Sequence, residues 1–218
     1  MSIHATILLP DDDGHAARLT VLGVTAVELR DAILSGYTLA SGMTSNHPRL
    51  ARHFNIWAET IATLRDSKAP DGWINNSSRN YETLGHPEGV CQIAVSSGTH
   101  ETGLDGGAGP RTSSKKGAAT QDAVAQNQLT LFSSPTDTDT PTAPRPPTWL
   151  LLHTYDHAKS EIRCELSLPT EMDGNTITSW SERIALDPIA FEMDSPVDYS
   201  DLPADDEPID IDVQRRPD

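Results

Sequence analysis

The order of hydrophobic and polar positions at the start of the chain predicts short strands followed by helices. The largely apolar stretches at residues 3–9 and 19–24 are typical of short strands, and the turn sequence Asp11-Asp12-Asp13-Gly14 separates them. Thr25 and Glu28 then match a capping box, in which each side chain hydrogen-bonds to the backbone N–H of the other residue. We therefore expect a helix that begins there, continues to about residue 34 and ends at Gly36.

A second, longer helix is predicted after residue 46. Ser45 or Asn46 can cap its first turn, where Pro48 is also favourable. Apolar residues then recur at spacings of three and four, which predicts that they share one face of the helix. The residues with this spacing are Leu50, Phe54, Trp57, Ile61 and Leu64. The turn sequence Pro70-Asp71-Gly72 should end the helix.

Alternating residues further along the chain predict antiparallel strands. Residues 81–84 and 90–96 flank Gly85-His86-Pro87-Glu88-Gly89 and are typical of a hairpin. Residues 149–155, 161–168 and 176–186 predict a three-stranded meander. In its middle strand the apolar residues Ile162, Cys164, Leu166 and Leu168 alternate with Glu161, Arg163, Glu165 and Ser167, so one buried face is expected. Because three strands alone are marginal, the meander should pack on the N-terminal module or on a partner.

These elements predict an α+β fold class in four segments. Residues 1–102 form a small α+β module, residues 103–147 a flexible linker, residues 148–190 an antiparallel β-meander and residues 191–218 a disordered acidic tail. The linker is inferred from a stretch rich in Gly, Ser, Thr, Ala and Pro, whose length is unusual for a loop within a compact domain. The pattern leaves open whether the two ordered segments form one unit with the linker looping out.

Charge is distributed unevenly and changes how the composition is interpreted. The formal net charge is −16, and the last 28 residues, with ten acidic and two basic side chains, contribute −8 of it. Residues 1–117 carry ten Lys and Arg against twelve Asp and Glu, so this part is nearly neutral. The overall acidity therefore does not exclude contact between the body of the protein and nucleic acid.

The cysteines and the hydropathy pattern indicate in which compartment we expect the protein and which cysteine motifs it lacks. Cys91 and Cys164 are far apart and no C-x-x-C occurs, which excludes a zinc ribbon and a thioredoxin-like motif and favours two buried, reduced thiols. No apolar run approaches the roughly 18 residues needed to span a membrane. The N-terminus lacks the basic and apolar regions of a signal peptide. We expect a cytoplasmic protein without a membrane partner.

One short motif in the predicted linker points to a partner. Gln128-Leu129-Thr130-Leu131-Phe132 is the only apolar island there. It resembles the pentapeptide Q-L-S/D-L-F, through which bacterial replication and repair proteins bind the DNA sliding clamp, the beta subunit of DNA polymerase III. Four of the five positions match, and Thr130 replaces the common Ser or Asp. The resemblance covers these five residues and implies docking in a hydrophobic pocket of the ring-shaped clamp.

The residue types of the motif suit recognition of an extended peptide. Leu131 and Phe132 can each bury roughly 1.5–3 kcal/mol of apolar side chain, and Gln128 offers both a donor and an acceptor at a pocket rim. Ordering a free peptide subtracts several kcal/mol, so micromolar affinity is expected. Just upstream, Arg111, Lys115 and Lys116 form a basic cluster that could add a weak, salt-sensitive contact with DNA phosphates.

Other local motifs do not assemble a recognisable active site. His86-Pro87-Glu88 mimics the H-x-E of zinc deaminases, but their PCxxC is absent. Residues 113–116 satisfy S-x-x-K without the partner motifs of that enzyme class, and no phosphate-binding P-loop occurs. We therefore assign no catalytic residue, metal ligand or cofactor from the sequence.

The sequence predicts a non-enzymatic adaptor or regulator that docks on the sliding clamp in replication, repair or mobile-element maintenance. Two alternatives belong to other classes. The acidic tail, from Asp194 to Asp212, could inhibit a basic partner or imitate the charge of nucleic acid. A nucleic-acid enzyme tethered by the peptide would instead require polar side chains gathered near Arg79, His86 and His100.

Overall fold

A computed structural model of the chain describes residues 5–106, 109–132 and 145–193, and for residues 129–132 it describes the backbone alone. The strands are β1 (Thr6–Leu8), β2 (Ile74–Asn76), β3 (Thr83–Gly85), β4 (Gln92–Ser97), β5 (Thr148–Asp156), β6 (Glu161–Asp173), β7 (Thr176–Ala185) and β8 (Ile189–Ala190). The helices are α1 (His15–Val21), α2 (Ala26–Ser41), α3 (Ala51–Lys68) and α4 (Ala118–Phe132), with 3-10 turns at Ala69–Asp71 and Ser78–Asn80.

The strands form one mixed sheet in the order β1-β7-β6-β5-β4-β3-β2, and β8 pairs with β6. The pairs β1–β7 and β4–β5 are parallel, and the others are antiparallel. Because β4 is hydrogen-bonded to β5, the N-terminal segment and the meander belong to the same sheet. The structure therefore confirms the α+β class and answers the question, left open by the sequence, of how the two ordered segments are related.

Helices cover both faces of this sheet, in three layers. Helices α2 and α3 cover one face of the sheet, which we call the helical face. There, Leu29 and Ile33 of α2 and Leu64 of α3 belong to the same apolar cluster as Trp149 and Leu151 of β5. The neighbouring residues of β5 point the other way, where Leu150 and Leu152 pack with Val124 of α4. We call this second side the polar face, because buried charged and amide side chains also lie there.

The predicted strand at residues 19–24 is wrong, since this stretch begins in helix α1 and continues into the turn before α2. Leu19 and Leu22 are buried while Val21 is exposed, as expected for three-residue helical spacing but not for a strand. This stretch of six residues, four of them apolar, was too short to distinguish the two periods. The strand expected at residues 3–9 is present as β1, and residues 1–4 lie outside the described part of the chain.

The capping box at the start of α2 is confirmed, but the helix does not end at Gly36. The Thr25 hydroxyl accepts from the Glu28 N–H, the Glu28 carboxylate accepts from the Thr25 N–H, and α2 continues to Ser41. A side chain at Gly36 would place its Cβ 2.5 Å from both the Ile56 carbonyl oxygen and Thr60 Oγ1. The glycine thus marks the close crossing of α2 and α3 rather than a helix end.

The predicted start and apolar stripe of α3 also need correction. The helix begins at Ala51, with Leu50 in the N-cap position and no side-chain cap, and so not at Ser45 or Asn46. Phe54 is 62% exposed and Leu50 is exposed, whereas Ile56, Ile61 and Leu64 are buried. The buried face also holds Arg52, whose guanidinium donates to the Met43 carbonyl at 2.8 Å. Because Arg52 lies on the buried side of the helix, the spacing of apolar residues alone did not identify the buried face.

The predicted β3–β4 hairpin and the antiparallel pairing of the meander are confirmed. The expectation of a single buried face in the meander is wrong, because Arg163, Glu165 and Ser167 are buried as well. They lie on the polar face of β6, opposite Cys164 and Leu166, where helix α4 and the loop after β4 cover them.

The flexible linker predicted at residues 103–147 requires correction where the structure describes it. Residues 109–117 lie against the sheet: the Thr112 N–H donates to the Ile177 carbonyl, and the Ile177 N–H to Thr112 Oγ1. Helix α4 follows directly. Residues 133–144 of the linker and residues 194–218 of the tail lie outside the described residues. None of the helices in the described ranges is long and apolar enough to cross a membrane.

Candidate functional site

The clamp-like peptide forms the C-terminal end of helix α4 rather than an extended segment. The helix runs from Ala118 to Phe132, so the backbone of Gln128, Leu129, Thr130, Leu131 and Phe132 is helical. The side chain of Gln128 is half-buried. Those of residues 129–132 lie outside the described part of the structure. An extended docking mode would therefore require this last helical stretch to unwind.

The residue immediately before the peptide anchors the helix to the sheet. Asn127 is only 1% exposed, and its Nδ2 donates to the carbonyls of Thr148 at 2.9 Å and Pro169 at 3.0 Å. Its Oδ1 accepts from the Thr148 N–H at 2.9 Å. One amide thus satisfies three backbone groups at the start of β5 and the bend of β6. The anchor lies immediately before the peptide and fixes the preceding part of α4 to the sheet.

Apolar contacts hold the same part of the helix. Val124, one turn before the anchor, is buried in a cluster with Ala94, Leu150 and Leu152 on the polar face. At the outer side of α4, Asp122 pairs with Arg79 at 2.6 Å, and both side chains are more than half exposed. Such an exposed pair stabilises the helix by less than about 1 kcal/mol. Burial of Val124 and Asn127 therefore accounts for the position of α4.

The three basic residues predicted to touch DNA phosphates face different surroundings. Arg111 is exposed and lies 3.9 Å from the Asp173 carboxylate. Lys115 is exposed. Lys116 is directed inward: its Nζ lies 2.6 Å from Ser96 Oγ and 2.8 Å from Ser114 Oγ. Burial lowers the pKa of Lys116 to about 8, so its charge is less available to a phosphate than the sequence suggests.

A buried histidine lies at the same end of the β4–β5 pair, on the helical face. His153 Nδ1 is 3.1 Å from the hydroxyl of Tyr37 in α2, and the two rings meet edge to face. Burial lowers the pKa of His153 to about 4, with smaller effects from His53 and Lys116. The imidazole is thus neutral at physiological pH and joins the strand to α2 by a polar contact.

The densest polar network covers the middle of the polar face. Glu165 is 0% exposed and pairs with Arg183, with Nη2 at 2.6 Å from Oε2 and Nε at 2.9 Å from Oε1. The carboxylate also accepts from the Gly103 N–H and the Ser167 hydroxyl. Arg183 donates further to the Leu104 carbonyl. Apart from the Ser167 contact within β6, the hydrogen bonds of this pair tie β6, β7 and the loop after β4 together, which indicates a structural role.

Within the part of the chain that the structure describes, neither the cysteines nor the acidic residues indicate a metal or redox site. Cys91 and Cys164 are free and buried, as predicted, and burial raises the pKa of each thiol to about 12. Thiols with such high pKa values are poor nucleophiles. Within the described ranges, no group of three or more His, Cys, Asp or Glu side chains could hold a metal ion.

The residues required by the tethered-enzyme alternative are not gathered in one place. His86 packs against Trp73, with ring centroids 5.1 Å apart. Arg79 pairs with Asp122 of α4, and His100 is exposed beside Glu101. Each of the three residues contacts a different element, so this set does not form a site.

Sequence reasoning missed Asn127, Glu165 and Ser96 as determinants of this region. An asparagine before an apolar peptide and a serine within a strand carry no local signal, because their partners lie 20 or more residues away in sequence.

Comparison with known protein families, with curated proteins and with solved structures finds no match to this chain.

Proposed function

We propose that this protein is an adaptor that docks on the bacterial DNA sliding clamp through Gln128-Leu129-Thr130-Leu131-Phe132. The proposal rests on the match of four of five positions to the clamp-binding pentapeptide. The structural support for the proposal is the position of the peptide in the fold. The peptide ends helix α4 directly after the Asn127 anchor, so it can leave the helix without opening the sheet.

The backbone cost of unwinding the end of α4 is small. The last four carbonyl groups of a helix have no partner within the helix, and helix ends fray readily. Helix propagation is worth at most about 0.3 kcal/mol per residue for good helix formers, so unwinding five residues costs on the order of 1 kcal/mol. Full burial of Leu131 and Phe132 in a clamp pocket would contribute roughly 3–6 kcal/mol, which exceeds this backbone cost. Micromolar affinity is therefore still expected.

The folded body and the peptide have separate tasks in this proposal. The sheet holds α4 through Val124 and Asn127. The clamp would hold the peptide. Because many clamp clients use one pocket, this chain would compete with them by mass action. Competition alone would make it a regulator even if the body delivered no activity.

Calorimetric titration of the intact chain into the sliding clamp of its own bacterium tests the proposal. The decisive variant is Gln128→Ala/Leu131→Ala/Phe132→Ala, which should lose micromolar binding. The matched control is Gln121→Ala, which removes an exposed glutamine near the start of the same helix and should bind as the parent does. Circular dichroism of each variant verifies that the sheet is intact.

A truncated chain ending at residue 193 distinguishes the adaptor from the acidic-tail alternative. Docking through the peptide predicts equal affinity with and without residues 194–218. If the intact chain does not bind the clamp, or if the triple variant binds as well as the parent, the adaptor proposal is wrong. If only the truncation abolishes binding, the contact is made by the acidic tail.

A further inference from the structure

A cluster of hydroxyl groups around one amine lies at the carboxyl end of strand β4, beside its parallel partner β5. Ser96 and Ser97 end β4, and the segment after the loop returns alongside them. Gly98 forms a β-bridge with Thr112, and the Ser113 N–H donates to the Ser97 carbonyl at 3.1 Å. Carboxyl ends of parallel strands are where open sheets commonly place ligand and catalytic groups. The topology thus brings residues 96 and 116 together there.

The amine of Lys116 bridges a buried hydroxyl and an exposed one. Its Nζ lies 2.6 Å from Ser96 Oγ, which is buried, and 2.8 Å from Ser114 Oγ, which is exposed. The Ser96 hydroxyl donates to the Ser97 carbonyl, so its oxygen is oriented to accept a hydrogen bond from the amine. The backbone N–H of Lys116 donates to the Asn175 carbonyl at 2.6 Å. Lys116 is therefore held by Ser96 and by the backbone of Asn175, and Ser114 lies on its solvent-exposed side.

The surroundings favour the uncharged amine. In the described part of the chain no carboxylate forms an ion pair with Lys116, and burial lowers its pKa to about 8. A fraction of the amine is neutral near physiological pH and can accept a proton from Ser114, whereas an ordinary lysine cannot. The backbone N–H of Ser114 makes no hydrogen bond with a described residue. It can therefore donate to an oxyanion that forms beside the Ser114 oxygen.

We propose that Ser114 is a nucleophile activated by Lys116, in a serine–lysine site that accepts acyl groups from activated esters or thioesters. Ser114 Oγ attacks the acyl carbonyl carbon while Lys116 takes the hydroxyl proton. The bond to the leaving group then breaks, and the departing alkoxide or thiolate takes that proton. Water repeats the same two steps on the acyl-serine ester and releases a carboxylic acid. This activity is independent of clamp docking.

Labelling of the full chain with a fluorophosphonate, which phosphonylates activated serines with loss of fluoride, tests this site. Mass spectrometry of the digested protein should find the adduct on Ser114. Ser114→Ala should abolish it. Lys116→Arg keeps a cation and its hydrogen-bond donors but cannot become neutral near pH 8. The labelling rate of that variant should fall by about 100-fold or more, as expected for loss of a general base.

Matched controls separate activation from ordinary surface reactivity. Lys115→Gln alters the neighbouring exposed lysine and should label at the parental rate. Thermal melting of Lys116→Arg shows whether the loop remains in place, and a parental melting temperature assigns its lost labelling to lost base catalysis. The proposal fails if Ser114 of the intact chain carries no adduct, if the adduct lies elsewhere, or if Lys116→Arg labels at the parental rate.

Discussion

The two faces of the sheet are stabilised by different interactions. The helical face is an apolar cluster in which α2 and α3 cover Trp149, Leu151 and their neighbours. The polar face has a smaller apolar cluster and depends on a buried ion pair, on Asn127 and on a loop hydrogen-bonded across the strands. Apolar packing tolerates small shifts, while a buried charge does not tolerate the loss of its partner. The helix that ends in the candidate peptide and the serine–lysine cluster both lie on the polar face.

The largest effect is expected on the polar face, from Glu165→Ala. The substitution leaves Arg183 buried without its carboxylate and also removes the acceptor of the Gly103 N–H. Unfolding by denaturant should show a loss of about 3–5 kcal/mol. Asp122→Ala, which breaks the exposed pair with Arg79, should cost less than about 1 kcal/mol. A loss for Glu165→Ala as small as that of the control would contradict the importance of the network.

A double replacement sharpens this comparison. Glu165→Met/Arg183→Met removes both charges and keeps much of the volume, so stability near the parental value is expected. A loss as large as that of the single variant would mean that the hydrogen bonds to Gly103 and Leu104, rather than the unpaired charge, determine the cost.

On the helical face, Ile33→Ala should destabilise the protein by about 2–5 kcal/mol. Ile33 is fully buried between α2 and the sheet, and the change leaves a cavity. Val27→Ala in the same helix is the matched control, because Val27 is 61% exposed and its change should stay within about 0.5 kcal/mol. Equal losses at the two positions, measured by chemical denaturation, would show that α2 does not pack as described.

The buried histidine adds a pH dependence that should distinguish the native from the unfolded chain. Because burial lowers the pKa of His153 from 6.5 to about 4, only the unfolded chain takes up its proton between these values. This contribution to stability is fully present above pH 6.5 and is lost as pH falls towards 4. Its size is on the order of 3 kcal/mol at most, since one pKa unit corresponds to about 1.4 kcal/mol.

Unfolding measurements from pH 7 to pH 4 on His153→Gln check this expectation. The variant should lose less stability over that interval than the parent does. His53 also has a lowered pKa, caused first by burial and then by Arg52, so part of the slope should remain. His100→Gln replaces an exposed imidazole and serves as the surface control. Identical slopes for the parent and His153→Gln would contradict a neutral buried His153.

A more local effect is expected at the anchor of α4. Asn127→Ala leaves the Thr148 N–H and C=O and the Pro169 carbonyl without this partner, at a cost of about 1–3 kcal/mol. Hydrogen exchange should become faster in α4 while the β5–β6 ladder stays protected. Gln121→Ala serves as the control, because its bond to Asn175 is exposed. Unchanged exchange in α4 would mean that Val124 alone holds the helix.

Local patterns predicted the parts of the fold that depend on near neighbours. The capping box of Thr25 and Glu28, the β3–β4 hairpin and the β5–β6–β7 pairing were all readable, because their partners lie within one turn or one hairpin. The misassigned α1 and the extent of α2 show where local signals fail. Gly36 is a helix stop by propensity, but close packing against Ile56 overrides it.

The candidate sites divide in the same way. The pentapeptide is contiguous, so the sequence displays all of it, although not its helical backbone. The serine–lysine cluster could not be predicted as it stands. The S-x-x-K pattern pairs Ser113 with Lys116, whereas the structure places Lys116 against Ser114 and Ser96 and directs Ser113 to Ser97. Spacing gives candidates, and only the loop path selects among them.

By itself, the sequence determined the element types with strong local periodicity, the buried thiols and the peptide that resembles a clamp ligand. Only the tertiary structure decided that one sheet joins both halves, that the polar side of β6 is buried, and that part of the expected linker is helix α4. The physical reason is range. Capping and alternation act over a few residues, while the pairing of β4 with β5 and of Glu165 with Arg183 depends on groups brought together by the whole chain.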